Sequence, residues 1–251
     1  MTDEELLKKR FTELSEKSYR SGIFLFTDFL SISEMALFFE TKPRERGIAF
    51  TLFGGTEGAE RVMIRFGDKD ELMYEEPFPI KCLKAEPLMQ KFADKLTHRD
   101  ILGALMSLGI ERSVIGDIAL IDNVGYIFVK EDMAEYIISS LKVAKHTPLK
   151  VSVAESIPEG ELYKTERRVL KAVGERVDAI IAKLFSLSRD EATALFTKGL
   201  VFIEGVKCEN RSRTLRDGDR VSVRGYGRFI YRAYSSTTKK GKLNIEVDLY
   251  V

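Results

Sequence analysis

The side chains of this chain that are best suited to chemistry are the arginines and lysines of its last third. Guanidinium and ammonium groups neutralise phosphates and release the counterions held by a polyanion. Arg189 is the strongest single candidate, because it occupies the first turn of a predicted helix, where backbone N–H groups also favour a phosphate. The alternative interpretation is a solvated basic surface that binds nothing. The candidate phosphate-binding residues are Arg176, Arg189, Lys198, Lys207, Arg211, Arg213, Arg224 and Arg228.

The charge of the chain is unevenly distributed along its length. From Arg176 to the C-terminus, 15 Lys and Arg stand against 9 Asp and Glu, whereas residues 1–175 hold 25 against 30. The formal net charge of +1 therefore conceals a basic C-terminal module on an acidic body. Such asymmetry is typical of proteins that bind nucleic acid. We therefore predict that the eight basic residues contact nucleic acid.

No convincing catalytic or metal-binding constellation is present in the sequence. Cys82 and Cys208 form no CxxC pair, and two histidines cannot build a His-rich site. The glycine-rich run 54–58 lacks the Lys-Ser or Lys-Thr of a P-loop, so we interpret it as a hairpin turn. The His-Arg-Asp run at 98–100 resembles a kinase catalytic loop, but Leu105 stands where that loop needs Asn. We predict a protein without metal, cofactor or enzymatic activity, with reduced thiols.

Two short helices should position the basic residues of the C-terminal module. The first, over 176–185, has an apolar face at helical spacing. The second begins at a capping box formed by Ser188 and Glu191 and runs to about Lys198, where Gly199 can end it in the left-handed conformation. We expect Asp178 and Ser188 to hold helix ends rather than a ligand. Strands are predicted at 200–204, 206–208, 220–224, 229–234 and 243–251, the last two as a terminal hairpin.

The middle of the chain has the element order βαββαβ. Strands are predicted at 78–85, 115–121, 125–130 and 149–155, and helices at 97–108 and at 131–144 with Met133, Tyr136, Ile137 and Leu141 facing inward. This is the ferredoxin-like arrangement that RNA-recognition domains share. The run 125–129 is similar to the aromatic strand of those domains, whose rings stack on bases. Stacking by Tyr126 or Phe128 is one interpretation, and core packing is the favoured one.

These elements predict an α+β protein of three parts. Residues 1–75 form an N-terminal α/β subdomain. Its helices are predicted over 3–20 and from a cap at Ser31 or Ser33 through Phe39, and its strands at 23–26, 47–53 and 61–66. Residues 76–160 form the ferredoxin-like, RRM-like βαββαβ domain. Residues 161–251 form the basic module, with a preceding strand at 162–172 and the terminal β-hairpin. No apolar run reaches membrane length and the acidic N-terminus is unlike a signal peptide, so we expect a cytoplasmic protein.

The basic module resembles the small RNA-binding domain named after ribosomal small-subunit protein four, here called the S-four-type domain. The usual Arg-Leu-Asp opening has Val177 in place of Leu, and the usual Asn before the turn glycine is Glu204. The resemblance implies RNA binding by this module. Its motifs are Arg176-Val177-Asp178, Ser188-Arg189-x-Glu191-Ala192, Lys198-Gly199-x-Val201, Gly205, Asp217-Gly218-Asp219 and Val221-Ser222-Val223.

Nearly the whole chain resembles the bacterial YlmH family. The resemblance implies an RNA-binding protein that associates with the large ribosomal subunit in ribosome-associated quality control, where stalled peptidyl-tRNA remains on a split subunit. The runs that carry it are Phe26–Leu30, His98–Ile110, Arg112 with Ile115–Ile118, and Ser222–Phe229.

Three functional hypotheses follow from the residues and the resemblance. The first is a non-catalytic, monomeric binder of structured RNA, that is, ribosomal RNA and also tRNA. The second is an RNA-modifying enzyme like the pseudouridine synthases that S-four-type domains accompany. Those enzymes carry a catalytic Asp in a Gly-Arg-Leu-Asp setting. Arg176-Val177-Asp178 is similar to that setting but opens the binding module, and residues 1–175 hold no second copy. The third is a scaffold linked to cell division, for which no sequence feature speaks. The first hypothesis is the one we carry forward.

Overall fold

Residues 2–158, 162–237 and 241–250 are described by the structure, which is a computed structural model. Helices and strands are mixed along the chain, so the predicted α+β class is confirmed. The chain divides into two units, Met1–Leu162 and Tyr163–Val251. The sequence also predicts a connection at 156–160 and a hairpin turn at 239–242, and both lie partly outside the described residues.

The first unit alternates short helices and strands. Its helices are α1 (Asp3–Ser21), α2 (Ile32–Glu40), α3 (Lys69–Leu72), α4 (His98–Ser107) and α5 (Ala134–Ser140). Its strands are β1 (Leu25–Phe26), β2 (Phe50–Phe53), β3 (Met63–Phe66), β4 (Ile80–Pro87), β5 (Ile115–Ile121), β6 (Val124–Lys130), β7 (Val143–Ala144) and β8 (Thr147–Val153).

Capping boxes fix the beginnings of three of these helices. Thr2, Ser31 and Thr97 each accept a hydrogen bond from the backbone N–H three residues later, and that residue's carboxylate reaches back. Each box satisfies two backbone donors that a helix start leaves without partners. Of the two predicted caps for α2, the structure therefore uses Ser31.

Two antiparallel sheets build the first unit. The smaller has the order β1-β3-β2, and α1 and α2 pack on it through Phe11, Phe38 and Phe66. The larger has the order β5-β6-β4-β8-β7, and its core includes Ile101 of α4 and Ile137 of α5. The predicted strand–helix–strand–strand–helix–strand order is thus present, with β7 added before the last strand.

Hydrogen bonds made by the side chains of Asp117 and Arg61 join the two sheets. The Asp117 carboxylate accepts the backbone N–H groups of Glu60 and Arg61 at 2.7 and 3.0 Å. The Arg61 side chain donates to the carbonyls of Phe29 and Ile115, both at 2.9 Å. Burial lowers the pKa of the Arg61 guanidinium, and the nearby carboxylates of Glu34, Asp117 and Glu60 oppose that shift.

The helix predicted over 131–144 is wrong in its last four residues. A short 3-10 turn precedes α5, which ends at Ser140, and β7 then pairs with β8 in a hairpin. Leu141 stays in the core at 1% exposure, but Tyr136 is 46% exposed and does not face inward. The apolar spacing that predicted a continuous helix is satisfied by a helix followed by a strand.

The second unit is one six-stranded antiparallel sheet covered by two helices. Its elements are β9 (Thr165–Ala172), α6 (Val177–Leu184), α7 (Arg189–Thr197), β10 (Val201–Ile203), β11 (Val206–Lys207), β12 (Arg220–Val223), β13 (Gly227–Thr237) and β14 (Leu243–Tyr250). The sheet order is β11-β10-β12-β13-β14-β9. Its core joins Ile180 and Ile181 of α6 and Leu195 of α7 to Phe229 and Val247 of the sheet.

Candidate nucleic-acid interface

Helix α7 is the element around which the candidate interface is built. The Ser188 hydroxyl accepts the Glu191 N–H at 3.2 Å, and the Glu191 carboxylate accepts the Ser188 N–H at 2.8 Å. The hydrogen bonds from Ser188 lower the pKa of Glu191, so the box is intact at neutral pH. The predicted cap is confirmed, and it places Arg189 at the first, exposed position of α7.

A groove of about 790 Å³ opens beside the N-terminus of α7. We call it the basic groove and define it by its cations, Lys171, Arg176, Lys183, Arg189 and Lys242. They come from β9, both helices and the residue before β14. Aliphatic residues, among them Ala179, Ala182 and Leu187, line the groove together with these cations. This geometry suits a phosphate chain more than a compact polar metabolite.

Arg176 and Asp178 form a bidentate ion pair inside the basic groove. The distances are 3.1 Å from Nε to Oδ1 and 2.6 Å from Nη2 to Oδ2. The hydrogen bond to Asp178 raises the pKa of Arg176. Asp178 also accepts the Ala179 N–H at 2.8 Å, in agreement with its expected role at the start of α6.

Lys207 and Arg211 lie along one side of α7. With Thr193, Phe196 and Thr197 they line a second, smaller cavity of about 350 Å³. Arg211 donates to the Thr193 hydroxyl at 3.4 Å, and Lys207 pairs with Glu209 at 3.3 Å. Residues 189, 193 and 197 are spaced by four, so they share one face of the helix.

The C-terminal end of α7 is basic as well. Lys198 is its exposed C-cap, and Gly199 takes a φ of +65° as predicted. A Cβ at Gly199 would lie 2.7 Å from Cε of Lys207, so glycine lets the Lys207 stem cross here. The exposed Arg224 follows β12 and donates its backbone N–H to Leu200 at 2.9 Å. Two basic ends are thus about 13 Å apart along nine residues of helix.

Two of the eight predicted residues stand apart from this arrangement. Arg213 faces Asp219, at 4.0 Å. Arg228 neighbours Phe229 on β13, and because alternate side chains of a strand point to opposite faces, it lies on the sheet face away from the helices. Its guanidinium stacks over Tyr250 at 4.5 Å and over Tyr163 at 5.6 Å from the ring centroids.

Three cations of the basic groove were not among the sequence candidates. Lys183 lies seven residues after Arg176, a spacing that returns to the same helix face after two turns. Lys171 and Lys242 come together because β9 pairs with β14, with Lys171 opposite Asn244. Helical spacing could have identified Lys183, whereas the strand pairing that brings the other two together had no local signal.

The aromatic strand of the middle segment is mostly closed to ligands. Phe128 has no exposed surface, and a Cβ at Gly55 would lie 2.3 Å from its ring, so the β2–β3 loop lies directly on it. The interpretation of Phe128 as core is therefore confirmed. Tyr126 is half-buried on the same sheet face, opposite Lys84 in the register.

The described ranges present neither a metal-binding cluster nor a helix that could span a membrane. Within residues 2–158, 162–237 and 241–250, no group of three or more Cys, His, Asp or Glu is placed to hold a metal ion. Both cysteines are buried and unpaired, and burial raises the pKa of Cys82 to about 12. In the part of the chain that the structure describes, every helix is too short or too polar to cross a bilayer.

Comparison with known proteins gives a family model, a curated relative and a solved structure that are similar to this chain. Residues 75–157 match the family model described as "Putative RNA-binding domain in YlmH". The chain is 28% identical to the Ribosome-associated protein quality control protein P2 of Bacillus subtilis (strain 168), over 97% of this chain and 91% of that protein. The resemblance to the YlmH family is therefore confirmed. The solved structure of the Cell division protein ylmH from Streptococcus pneumoniae is also similar, with a TM-score of 0.49 and 21% identity over 61% of this chain and 92% of that one.

Proposed function

We propose that this chain is a non-catalytic RNA-binding protein of ribosome-associated quality control. It binds structured RNA, namely ribosomal RNA together with tRNA, on the large ribosomal subunit. It works as a cytoplasmic monomer without cofactor. The match along nearly the whole length of a protein named for ribosome-associated quality control supports the setting, and the basic surface around α7 supports the mode of binding.

The observation that carries the proposal is the convergence of cations on a capped helix start. The two predicted residues Arg176 and Arg189 share the basic groove with three lysines. Backbone N–H groups at the N-terminus of α7 add a partial positive charge to the same place. A continuous line of phosphates could lie in the groove and follow α7 past Arg211 and Lys207 towards Lys198.

The proposal assigns RNA contacts in the second unit to the eight predicted residues, with unequal weights. Arg189, Lys198 and Arg224 are exposed and have no ion-pair partner among the described residues. Arg176, Lys207 and Arg213 contact carboxylates and would exchange them for phosphates. Arg228, whose guanidinium lies over the Tyr163 and Tyr250 rings, would contact RNA from the opposite face of the sheet.

The proposal keeps the three-part division of the chain. Residues 76–160 act as an RRM-like, ferredoxin-like domain and residues 161–251 as an S-four-type domain, behind an N-terminal subdomain at 1–75. The match of 75–157 to an RNA-binding family model supports a second RNA contact outside the basic module.

The test is binding of the full chain to purified large ribosomal subunits and to a synthetic RNA stem-loop. Charge reversal at Arg189 should weaken both interactions, and high salt should dissociate both. An RNA modification that disappears when the protein is deleted and returns with purified protein would instead make it an enzyme. A protein partner that stays bound after ribonuclease treatment, with no RNA retained, would favour the scaffold.

A further inference from the structure

The loop between β4 and α4 exposes three large apolar side chains in five residues. Leu88, Met89 and Phe92 are 62%, 65% and 77% exposed. Most large apolar residues of the first unit lie in its cores. An exposed cluster of such residues therefore indicates a surface that binds another molecule. We call residues 88–95 the apolar loop.

Hydrogen bonds to the β5–β6 turn and to the first two residues of β8 hold the apolar loop in place. Gln90 donates to the Asp122 carbonyl at 2.7 Å, and Leu88 donates its N–H to the Pro148 carbonyl at 3.0 Å. The Asp94 N–H binds the Thr147 hydroxyl at 2.9 Å.

Asn123 ties the same loop to the β5–β6 turn. Its side chain accepts the Leu96 N–H at 2.7 Å and donates to the Asp94 carbonyl at 2.9 Å. The exposed side chains are therefore presented in a fixed place, which lowers the entropy lost on binding.

The charges around these side chains are those of a phosphate contact. Lys91 and Lys95 are exposed, and neither has an ion-pair partner among the described residues. Lys91 lies over the Phe92 ring, with Nζ 5.8 Å from the centroid. The one carboxylate of the loop, Asp94, faces Lys145 at 4.0 Å and His146 at 3.4 Å, so nearby basic groups balance it.

We propose that the apolar loop is a stacking site for an unpaired nucleobase of RNA, with Phe92 as the platform. Lys91 and Lys95 hold the flanking phosphates, and Leu88 and Met89 cover the edge of the base. This inference rests on the proposed RNA-binding function and adds the place and the class of RNA. A duplex cannot use the site, because its bases are already stacked inside the helix.

Two observations favour RNA over a protein partner and Phe92 over the sheet surface. The loop lies within residues 75–157, which match an RNA-binding family model, and its unpaired charges are cations. The aromatic ring on the sheet face, Phe128, is closed off by Gly55. Within residues 75–157 Phe92 is the most exposed aromatic ring, at 77% against 46% for Tyr136, so it is the ring of this segment best placed for stacking.

The experiment uses the full chain, a single-stranded oligoadenylate, and a blunt RNA duplex carrying the same number of phosphates. Fluorescence anisotropy gives the two dissociation constants. Phe92→Ala should weaken oligoadenylate binding roughly ten- to hundredfold, whereas Phe92→Tyr should preserve it, since stacking needs the ring. Duplex affinity should stay unchanged in both variants. Met106→Ala, which removes a 45% exposed apolar side chain from α4 of the same unit, is the matched control and should change neither affinity.

The outcomes separate this inference from the proposed function. If Phe92→Ala leaves oligoadenylate binding unchanged, or if Tyr126→Ala weakens it instead, the stacking site is overturned while the RNA-binding function stands. If the wild-type chain binds neither RNA, the proposed function itself fails. If Phe92→Ala abolishes a ribonuclease-resistant protein contact and no RNA contact, the loop is a protein-docking surface. Thermal unfolding should match wild type in the Phe92 and Met106 variants, because both side chains are exposed.

Discussion

Arg176 and Arg189 line the same groove but differ in what already neutralises their charge. Arg176 is held by a bidentate contact to Asp178, so a phosphate would have to compete with a carboxylate. Arg189 stands at the first position of α7, exposed and without an ion-pair partner among the described residues. The sequence could place both residues at helix starts, but the pairing that ranks them is visible only in the structure.

Reversing the charge of Arg189 should separate binding from folding. Arg189→Glu should weaken binding to the RNA stem-loop and lower the slope of log affinity against log salt by about one or more. The unfolding free energy should change by less than about 0.5 kcal/mol, since the side chain is exposed.

Two variants calibrate that result. Arg10→Glu, on an exposed position of α1, makes the same change of net charge and should leave RNA affinity close to wild type. Ser188→Ala should instead cost roughly 1 kcal/mol of stability through the lost cap. Unfolding of the second unit by Arg189→Glu would show that Arg189 is structural.

Asp248 should make the stability of the second unit depend on acid pH. Burial raises its pKa, but hydrogen bonds from Arg167 at 2.5 Å and Arg232 at 2.7 Å outweigh this and hold the pKa below its usual value of 3.8. A depressed folded-state pKa adds stability above the unfolded-state value, and that stability is lost as pH falls through the folded-state value. Asp248→Asn should therefore cost roughly 1–3 kcal/mol at neutral pH. The difference from wild type, followed by chemical denaturation, should shrink below about pH 4. A constant difference down to strongly acid pH would contradict this.

At the scale of elements, the local patterns predicted α7 better than α5. Ser188, Glu191 and Gly199 mark both ends of α7, and each signal acts within one helical turn. The residues after Ser140 carry no Gly before the β7–β8 turn, and Lys145 adopts a φ of +56° in that turn. Pairing of β7 with β8 overrides the helical spacing, and a single-sequence pattern cannot supply the partner strand.

The turn between α6 and α7 holds a residue in an unfavourable backbone conformation. Ser186 has a φ of +55°, which costs a residue with a Cβ more than it costs glycine. Ser186→Gly should therefore raise the unfolding free energy, or leave it nearly unchanged where glycine's larger unfolded-state entropy offsets the relief. Ala182→Gly inside α6 should lower it by about 1 kcal/mol. Chemical denaturation of both variants measures the contrast. Equal destabilisation by the two changes would show that the turn is not strained.

For the whole molecule, the uneven charge predicts where the salt dependence of binding resides. If about six phosphates are contacted, RNA affinity should fall by orders of magnitude between roughly 50 and 200 mM salt. The fragment 163–251 has its own hydrophobic core, so it should fold alone and keep most of this dependence. RNA affinity measured at a series of salt concentrations, for the fragment and for the full chain, tests this prediction. Binding by the fragment that does not respond to salt would rule out the electrostatic mode.

The same asymmetry predicts how the chain behaves among ribosomal particles. A structured RNA surface offers phosphates at fixed spacing, which suits cations placed on both ends of one rigid helix. In a sucrose gradient the wild-type chain should travel with free large subunits more than with small subunits or translating ribosomes. Combined Arg189→Glu, Lys198→Glu and Arg224→Glu should move it to the top of the gradient, because the basic face along α7 and beyond its C-terminal end becomes acidic.

Reversal of Arg10, Lys17 and Arg99, three exposed cations of the first unit, makes an equal change of net charge and should leave it on the large subunit. Release by both triple variants would mean that net charge alone governs binding, and co-migration with small subunits only would exclude the large subunit as the target.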